Sequence, residues 1–198
     1  LLAKVSLYQG RWDEAAARAD TVISRDPFTL SDDPTVPYAN ESNPEIIFST
    51  SFSSIDNSGT NDFMSSFYLP SDFGGRGDIT VNNQFLSDAD SGDVRATPTS
   101  GSDLGLSSNN PGPEIKGSTL LYSYGGGSAS AWTNKWTLPG FGDDAPVLRV
   151  AEMYLIRAEG LARGSGSAAD ARADVNAIRN RAGLSDVSSS LSGQALID

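Results

Sequence analysis

Residues Asp143 to Leu184, DDAPVLRVAEMYLIRAEGLARGSGSAADARADVNAIRNRAGL, decide the fold. Val147, Val150, Ala151, Tyr154, Leu155, Ala158, Leu161 and Ala162 recur at three- and four-residue steps, the spacing of one apolar stripe on a helix. Asp144 is placed to cap that helix, with Pro146 in its first turn. Gly164 to Gly166 interrupt the pattern, and Ser167 with Asp170 three residues on forms an acidic variant of the capping box for a second helix. Its stripe is Ala171, Val175, Ile178 and Ala182, so it is expected to run to Ala182. Arg179 and Arg181 suit its negative C-terminal end, and Gly183 supplies a left-handed stop.

The polar wording of this hairpin is as distinctive as its apolar period. Pro146-Val147-Leu148-Arg149, Ala151-Glu152, Arg157-Ala158-Glu159, Asp174 to Asn176, Ile178-Arg179 and Arg181-Ala182-Gly183-Leu184 together resemble the C-terminal part of the SusD/RagB family of outer-membrane nutrient-binding lipoproteins. Leu1 to Pro27 carries Ala3, Tyr8, Gln9-Gly10, Trp12, Ala15-Ala16, Ala19 and Val22-Ile23, and looks like the tetratricopeptide-type helix pair of the same family. The resemblance implies a mainly α fold: tetratricopeptide-like helix pairs with a long irregular, loop-rich insert carrying a few short strands. The expected organisation is a single SusD-like fragment, with a helix pair over 1–27, the insert over 28–142, the hairpin over 143–184 and the start of a truncated helix over 185–198. A signal peptide and a lipid-bearing cysteine are then expected upstream.

Composition narrows the chemistry. A net charge of −11 repels phosphate backbones and anionic lipid, and no local basic patch offsets it, so no nucleic-acid partner is expected. With 198 residues and 38% apolar content the chain can bury a sizeable core, and no run approaches a membrane span. There is no cysteine and no histidine, which removes thiolate chemistry, the commonest general base and the commonest metal ligand. No cofactor and no metal are expected. Asp88, Asp90 and Asp93 resemble the start of a calcium loop, but Gly92 comes one position early and Thr99 stands where a bidentate Glu is needed. An acidic turn is the better reading.

Between the helical ends, Phe28 to Gly142 is rich in Gly, Pro, Ser, Asn and Asp. Irregular stretches of this length inside a domain are functional or disordered. Glu45 to Phe52, EIIFSTSF, reads as a strand and looks like the family's characteristic one, while Asp93-Val94-Arg95 looks like its recurrent Asp-x-Arg. Leu120 to Tyr124 and Asn134 to Leu138 are further strand candidates, and Asn61 to Tyr68 and Thr80 to Leu86 can each form two helical turns.

Sugars are held by aromatic faces against their C–H surfaces, with amides, carboxylates and arginines on the hydroxyls. Tyr68, Phe73, Tyr122, Tyr124, Trp132 and Trp136 lie in glycine-rich context near Asp72, Arg76, Asp78, Asn82 and Asn83. The expected ligand contacts are Trp132, Tyr68, Phe73, Arg76, Tyr124 and Asn82. Trp132, after Gly125 to Gly127, is expected to be an exposed stacking platform, and Trp136 a buried strand residue. Glu152 and Glu159 are expected in ion pairs, alongside Arg149 and Arg157, and not in acid–base work.

The resemblance thus implies a lipid-anchored, cell-surface glycan- or nutrient-binding component of an outer-membrane uptake system. It is not expected to be an enzyme, and its partners would be an oligosaccharide or other nutrient oligomer and a TonB-dependent outer-membrane transporter. Two other readings remain open at this point. One is a helical-repeat scaffold that binds a protein without a small ligand; the other is a glycoside hydrolase, which would need two carboxylates facing each other across a cleft.

Overall fold

The computed structural model describes residues 1–39, 42–53, 55, 61, 64–106, 119–125, 130–136 and 142–198. Eight helices, α1 (Leu2–Tyr8), α2 (Trp12–Ile23), α3 (Val36–Ala39), α4 (Met64–Tyr68), α5 (Asn83–Asp88), α6 (Val150–Arg163), α7 (Ala168–Asn180) and α8 (Gln194–Ile197), are found among these residues. The strands are β1 (Ile46–Thr50), β2 (Thr99–Ser100), β3 (Leu121–Tyr124), β4 (Ser130–Thr133) and β5 (Ala145–Arg149). The fold is mainly helical, with tetratricopeptide-like pairs at both ends and short strands in a loop-rich middle. It divides into two compact units: residues 1–32, 42–48 and 147–198, and residues 33–41 and 49–146.

The first unit is the helical frame. Ala3, Ala15, Ala19, Met153 and Ile156 form its core, with Leu7, Val22, Ile23 and Ile47 packed around them. Alanines on α2 let α6 come close, and Gly160 marks the tightest point: a Cβ there would sit 2.7 Å from Trp12 O and 3.0 Å from Ala16 N. α6 packs against both α2 and α7, and ion pairs link all three helices. Arg157 donates through Nε and Nη2 to the two carboxylate oxygens of buried Asp174 at 2.8 and 2.6 Å, and through Nη1 to Asp20 at 2.6 Å. Those carboxylates hold the guanidinium still more firmly in its charged form.

A second polar knot lies at the base of the frame. Glu45 is fully buried, and its carboxylate accepts from Arg149 Nη1 at 3.0 Å, Arg181 Nη1 at 2.7 Å and Ser31 N at 3.1 Å. Its own amide donates to Asn43 Oδ1 at 2.8 Å, and its carbonyl accepts from Val150 N at 2.8 Å. One residue therefore fixes where β1 begins, where α6 begins and where α7 ends.

Four sequence expectations change here. Pro146 lies in a strand, not in the first turn of a helix: β5 pairs with β1 in a two-stranded ribbon, and proline is tolerated in an edge strand of this kind. Asp144 is consequently no helix cap; its Oδ1 accepts from Phe52 N at 2.9 Å, and α6 starts after Arg149 without a side-chain cap. The buried positions of α6 are Val150, Ala151, Met153, Ile156, Ala158 and Gly160, whereas Leu155 and Val147 are exposed. A helix covered on two sides buries more than one stripe, which a single-stripe reading misses. α7 has the expected Ser167 cap, accepting from Ala169 N and Asp170 N, and ends at Asn180, two residues short of Ala182.

The second unit is built on a three-stranded sheet in the order β2-β3-β4. β2 runs parallel to β3, and β3 pairs antiparallel with β4, setting Tyr122 opposite Trp132 and Tyr124 opposite Ser130. Alternation along the strands puts Tyr122, Tyr124 and Trp132 on one face. Leu106, Tyr122 and Trp132 are the core of this unit, with Phe73, Leu104 and Tyr124 against it. The expected strand at Asn134 to Leu138 is displaced: β4 ends at Thr133, Asn134 to Trp136 form a bend, and residues 137–138 lie outside the described residues, as do Gly126 and Gly127 of the glycine turn. Asn134 closes the hairpin from Thr133 onward, donating from N to Leu120 O and from Nδ2 to Thr119 O, both at 2.8 Å.

Two measurements check the frame. Glu45→Gln leaves two arginines facing a neutral amide in the interior and should cost about 3–5 kcal/mol in urea unfolding. Gly160→Ala, although it favours an isolated helix, should destabilise by about 1–3 kcal/mol through overpacking; an unchanged midpoint would contradict the close α2–α6 approach.

Candidate functional site

The half-buried aromatic rings of the second unit gather around the segment Ser66 to Ile79. This segment folds back on itself: Arg76 N donates to Ser66 O at 2.6 Å, Gly77 N to Leu69 O at 2.9 Å and Ile79 N to Phe67 O at 3.2 Å. The return is possible because Gly75 has no side chain; a Cβ there would lie 2.3 Å from Leu69 O. Pro70 O accepts from Phe73 N and Gly75 N, closing the tip. Val81 N then donates to Ala131 O at 2.8 Å, which moors the segment to β4.

Two ring pairs flank this turn. Tyr68 stacks on Trp136 with centroids 5.1 Å apart and planes 29° from parallel. Phe73 lies 4.4 Å from Tyr124 and 6.4 Å from Tyr122. Tyr68, Phe73, Tyr124 and Trp136 are all half-buried, so each ring has one part on the core and another towards solvent. The Trp136 indole N–H is buried and finds no acceptor among the described residues, an unmet donor within the stacked pair.

Polar groups line the same segment. Tyr124 donates its hydroxyl to exposed Asp72 at 3.0 Å; burial and that carboxylate both push the phenol upward from its ordinary value, so it stays a neutral donor. Arg76 is ion-paired with Asp78, donates to Asn61 Oδ1 and lies 4.9 Å over the Phe67 ring. Lys135 sits 4.9 Å over Tyr38.

The structure therefore brings Tyr68, Phe73, Arg76 and Tyr124 to one chain segment and its neighbours, but corrects the part expected of Trp132. Trp132 is only 8% exposed, packs with Tyr122 and Leu106, and donates Nε1 to Tyr124 O at 3.2 Å. It is a core residue of β4, and the outward ring is Trp136. The two tryptophans exchanged places because the strand was read four residues too late along the chain. Asn82 is exposed, and its Oδ1 accepts from Gln84 N at 2.8 Å as the cap of α5. Its Nδ2 has no such duty. Trp136, named among the rings but expected to be buried, is half-buried because it follows a complete β-like run, Ser130 to Thr133. Asp93 is engaged by Arg95, which donates from N, Nε and Nη2 at 2.9, 2.9 and 2.7 Å, so this carboxylate serves its own turn. Among the described residues no cluster of three acidic side chains is arranged for a metal ion.

A sequence model of the SusD family matches residues 116–195. Over that stretch the chain is similar to the SusD family. The fold of the whole chain is SusD-like. It superposes on a surface glycan-binding protein A from Bacteroides uniformis with a TM-score of 0.71 at 15% identity, covering 98% of this chain and 43% of that one. A SusD-like carbohydrate-binding protein from Bacteroides vulgatus gives 0.68 at 19%, covering 99% and 38%. A surface glycan-binding protein A from Bacteroides thetaiotaomicron, in complex with laminarihexaose, gives 0.66 at 20%, covering 98% and 48%. The chain thus spans less than half the length of each of these structures, and at such identities the likeness is one of fold. No curated protein sequence matches the chain.

The SusD-like sheet makes one clear demand on its core. Trp132→Ala should lower stability by about 3–5 kcal/mol, as loss of a buried indole does. Thermal and urea unfolding would show this, and a variant as stable as the parent would return Trp132 to the surface.

Proposed function

We propose that this chain is the middle and C-terminal part of a cell-surface glycan-binding component of an outer-membrane nutrient-uptake system. In this reading it captures an oligosaccharide or other nutrient oligomer without covalent chemistry and passes it to a TonB-dependent transporter, the full-length protein being held at the outer membrane by a lipid anchor. The observation that carries the proposal is the row of half-exposed rings, Tyr68 on Trp136 and Phe73 on Tyr124, beside Asp72, Arg76 and Asn61. Such rings offer flat apolar faces for sugar C–H groups, and the polar groups beside them can exchange hydrogen bonds with hydroxyls. The SusD-like fold and the glycan-binding names of the similar structures support the same reading.

Each residue has a distinct part. Tyr68 and Trp136 supply the stacking surface. Phe73 and Tyr124 extend the apolar surface, Asp72 accepts from hydroxyls, and Arg76 and Asn82 donate. Trp132 holds the sheet beneath. Asp72 and Asp78 are occupied by Tyr124 and Arg76, an arrangement suited to orienting hydroxyls; protonating a leaving group would require one of them to be held as an acid. Binding is expected to be modest in strength, because captured nutrient has to be released.

Calorimetric titration with a panel of hexasaccharides that includes laminarihexaose tests the proposal. Tyr68→Ala and Trp136→Ala should each weaken the best ligand by about tenfold, the worth of one aromatic contact. Variants that bind like the parent would remove these rings from the site, and a parent chain that binds no sugar would remove the function.

A further inference from the structure

The charge of the chain is very unevenly distributed. Residues 33–41 and 49–146, the unit that carries the rings, hold thirteen acidic residues against four basic ones, a formal charge of −9; the helical unit, with twelve against ten, holds −2. The four cations of the ring-bearing unit are Arg76, Arg95, Lys116 and Lys135. Arg76 is ion-paired with Asp78 and hydrogen-bonded to Asn61. Arg95 is spent on Asp93 through both Nε and Nη2, and Lys135 lies over Tyr38. Lys116 lies outside the described residues.

Recognising a carboxylate or sulfate takes an uncommitted cation, best an arginine fork, in a field that does not repel the ligand. Among the described residues beside the rings neither condition is met: Arg76 and Arg95 are paired with carboxylates and the unit's formal charge is negative. The exposed carboxylate of Asp72 is there instead, a good acceptor for sugar hydroxyls and a repellent for an acidic sugar.

We infer that this site selects uncharged glycans and excludes uronate-containing and sulfated ones, the Asp78 carboxylate masking the guanidinium of Arg76 that would otherwise receive an anion. The inference rests on the glycan-capture reading and names its substrate class. Selection works by subtraction: neutral sugars need only the ring faces and hydroxyl partners, and acidic sugars with the same backbone pay the cost of the surrounding field without a matching cation.

The test uses the chain as it stands, titrated with neutral hexasaccharides (laminarihexaose, cellohexaose, mannohexaose) and with hexagalacturonate and sulfated laminarihexaose at low and at near-physiological ionic strength. The best neutral sugar should bind at least about tenfold more tightly than either anionic one at low salt, with a gap that narrows as salt screens the field. Asp78→Asn should unmask Arg76 and raise anionic binding relative to neutral binding. An anionic sugar that binds the parent as tightly as the best neutral one, and is lost with Trp136→Ala, would leave capture intact and overturn the exclusion. Failure of Asp78→Asn to change the ratio would overturn the masking by that carboxylate. Silence towards every sugar would overturn capture itself, and this inference with it.

Discussion

The frame depends on a carboxylate with no access to water. A charge taken out of solvent is tolerated only where opposite charges and amides meet it, and Glu45 has Arg149, Arg181 and the amide of Ser31 on its two oxygens. Those partners come from three separate stretches of chain, so the requirement to neutralise one group brings together the loop before β1, the start of α6 and the end of α7. Close apolar packing through small residues holds α2 against α6. Arg157 adds ion pairs from α6 to Asp20 on α2 and to Asp174 on α7.

The helical ends were legible because their signals are local. Ser167 before Asp170 gave the start of α7, the apolar steps gave both hairpins, and Glu45 to Phe52 gave β1. What misled was competition between local signals and partners far along the chain. Pro146 and Val147 read as the first turn of a helix because helical periodicity continues through them, yet β1, about a hundred residues earlier, claims them as a strand. Leu155 read as core because it lies on the expected stripe, but a helix flanked on two sides presents a different edge to solvent.

The candidate site residues were legible as types and less so as places. Tyr68, Phe73, Arg76 and Tyr124 were recognisable as a set from aromatic and polar residues in glycine-rich context. Which tryptophan faced outward depended on the register of β4, and shifting a short strand by a few residues converts a core ring into a surface one. The conformation of Ser66 to Ile79 was beyond reach as well, because it is fixed by backbone hydrogen bonds and by the absence of a side chain at Gly75, neither of which leaves a periodic trace.

The clamp on Glu45 also has a temporal side. Its two arginines follow it by 104 and 136 residues, so a ribosome must deliver that much further chain before the carboxylate can be sealed. Contacts of such long sequence separation form slowly, after shorter-range pairings have been sampled. Until they do, α1 and α2 have no α6 to lean on.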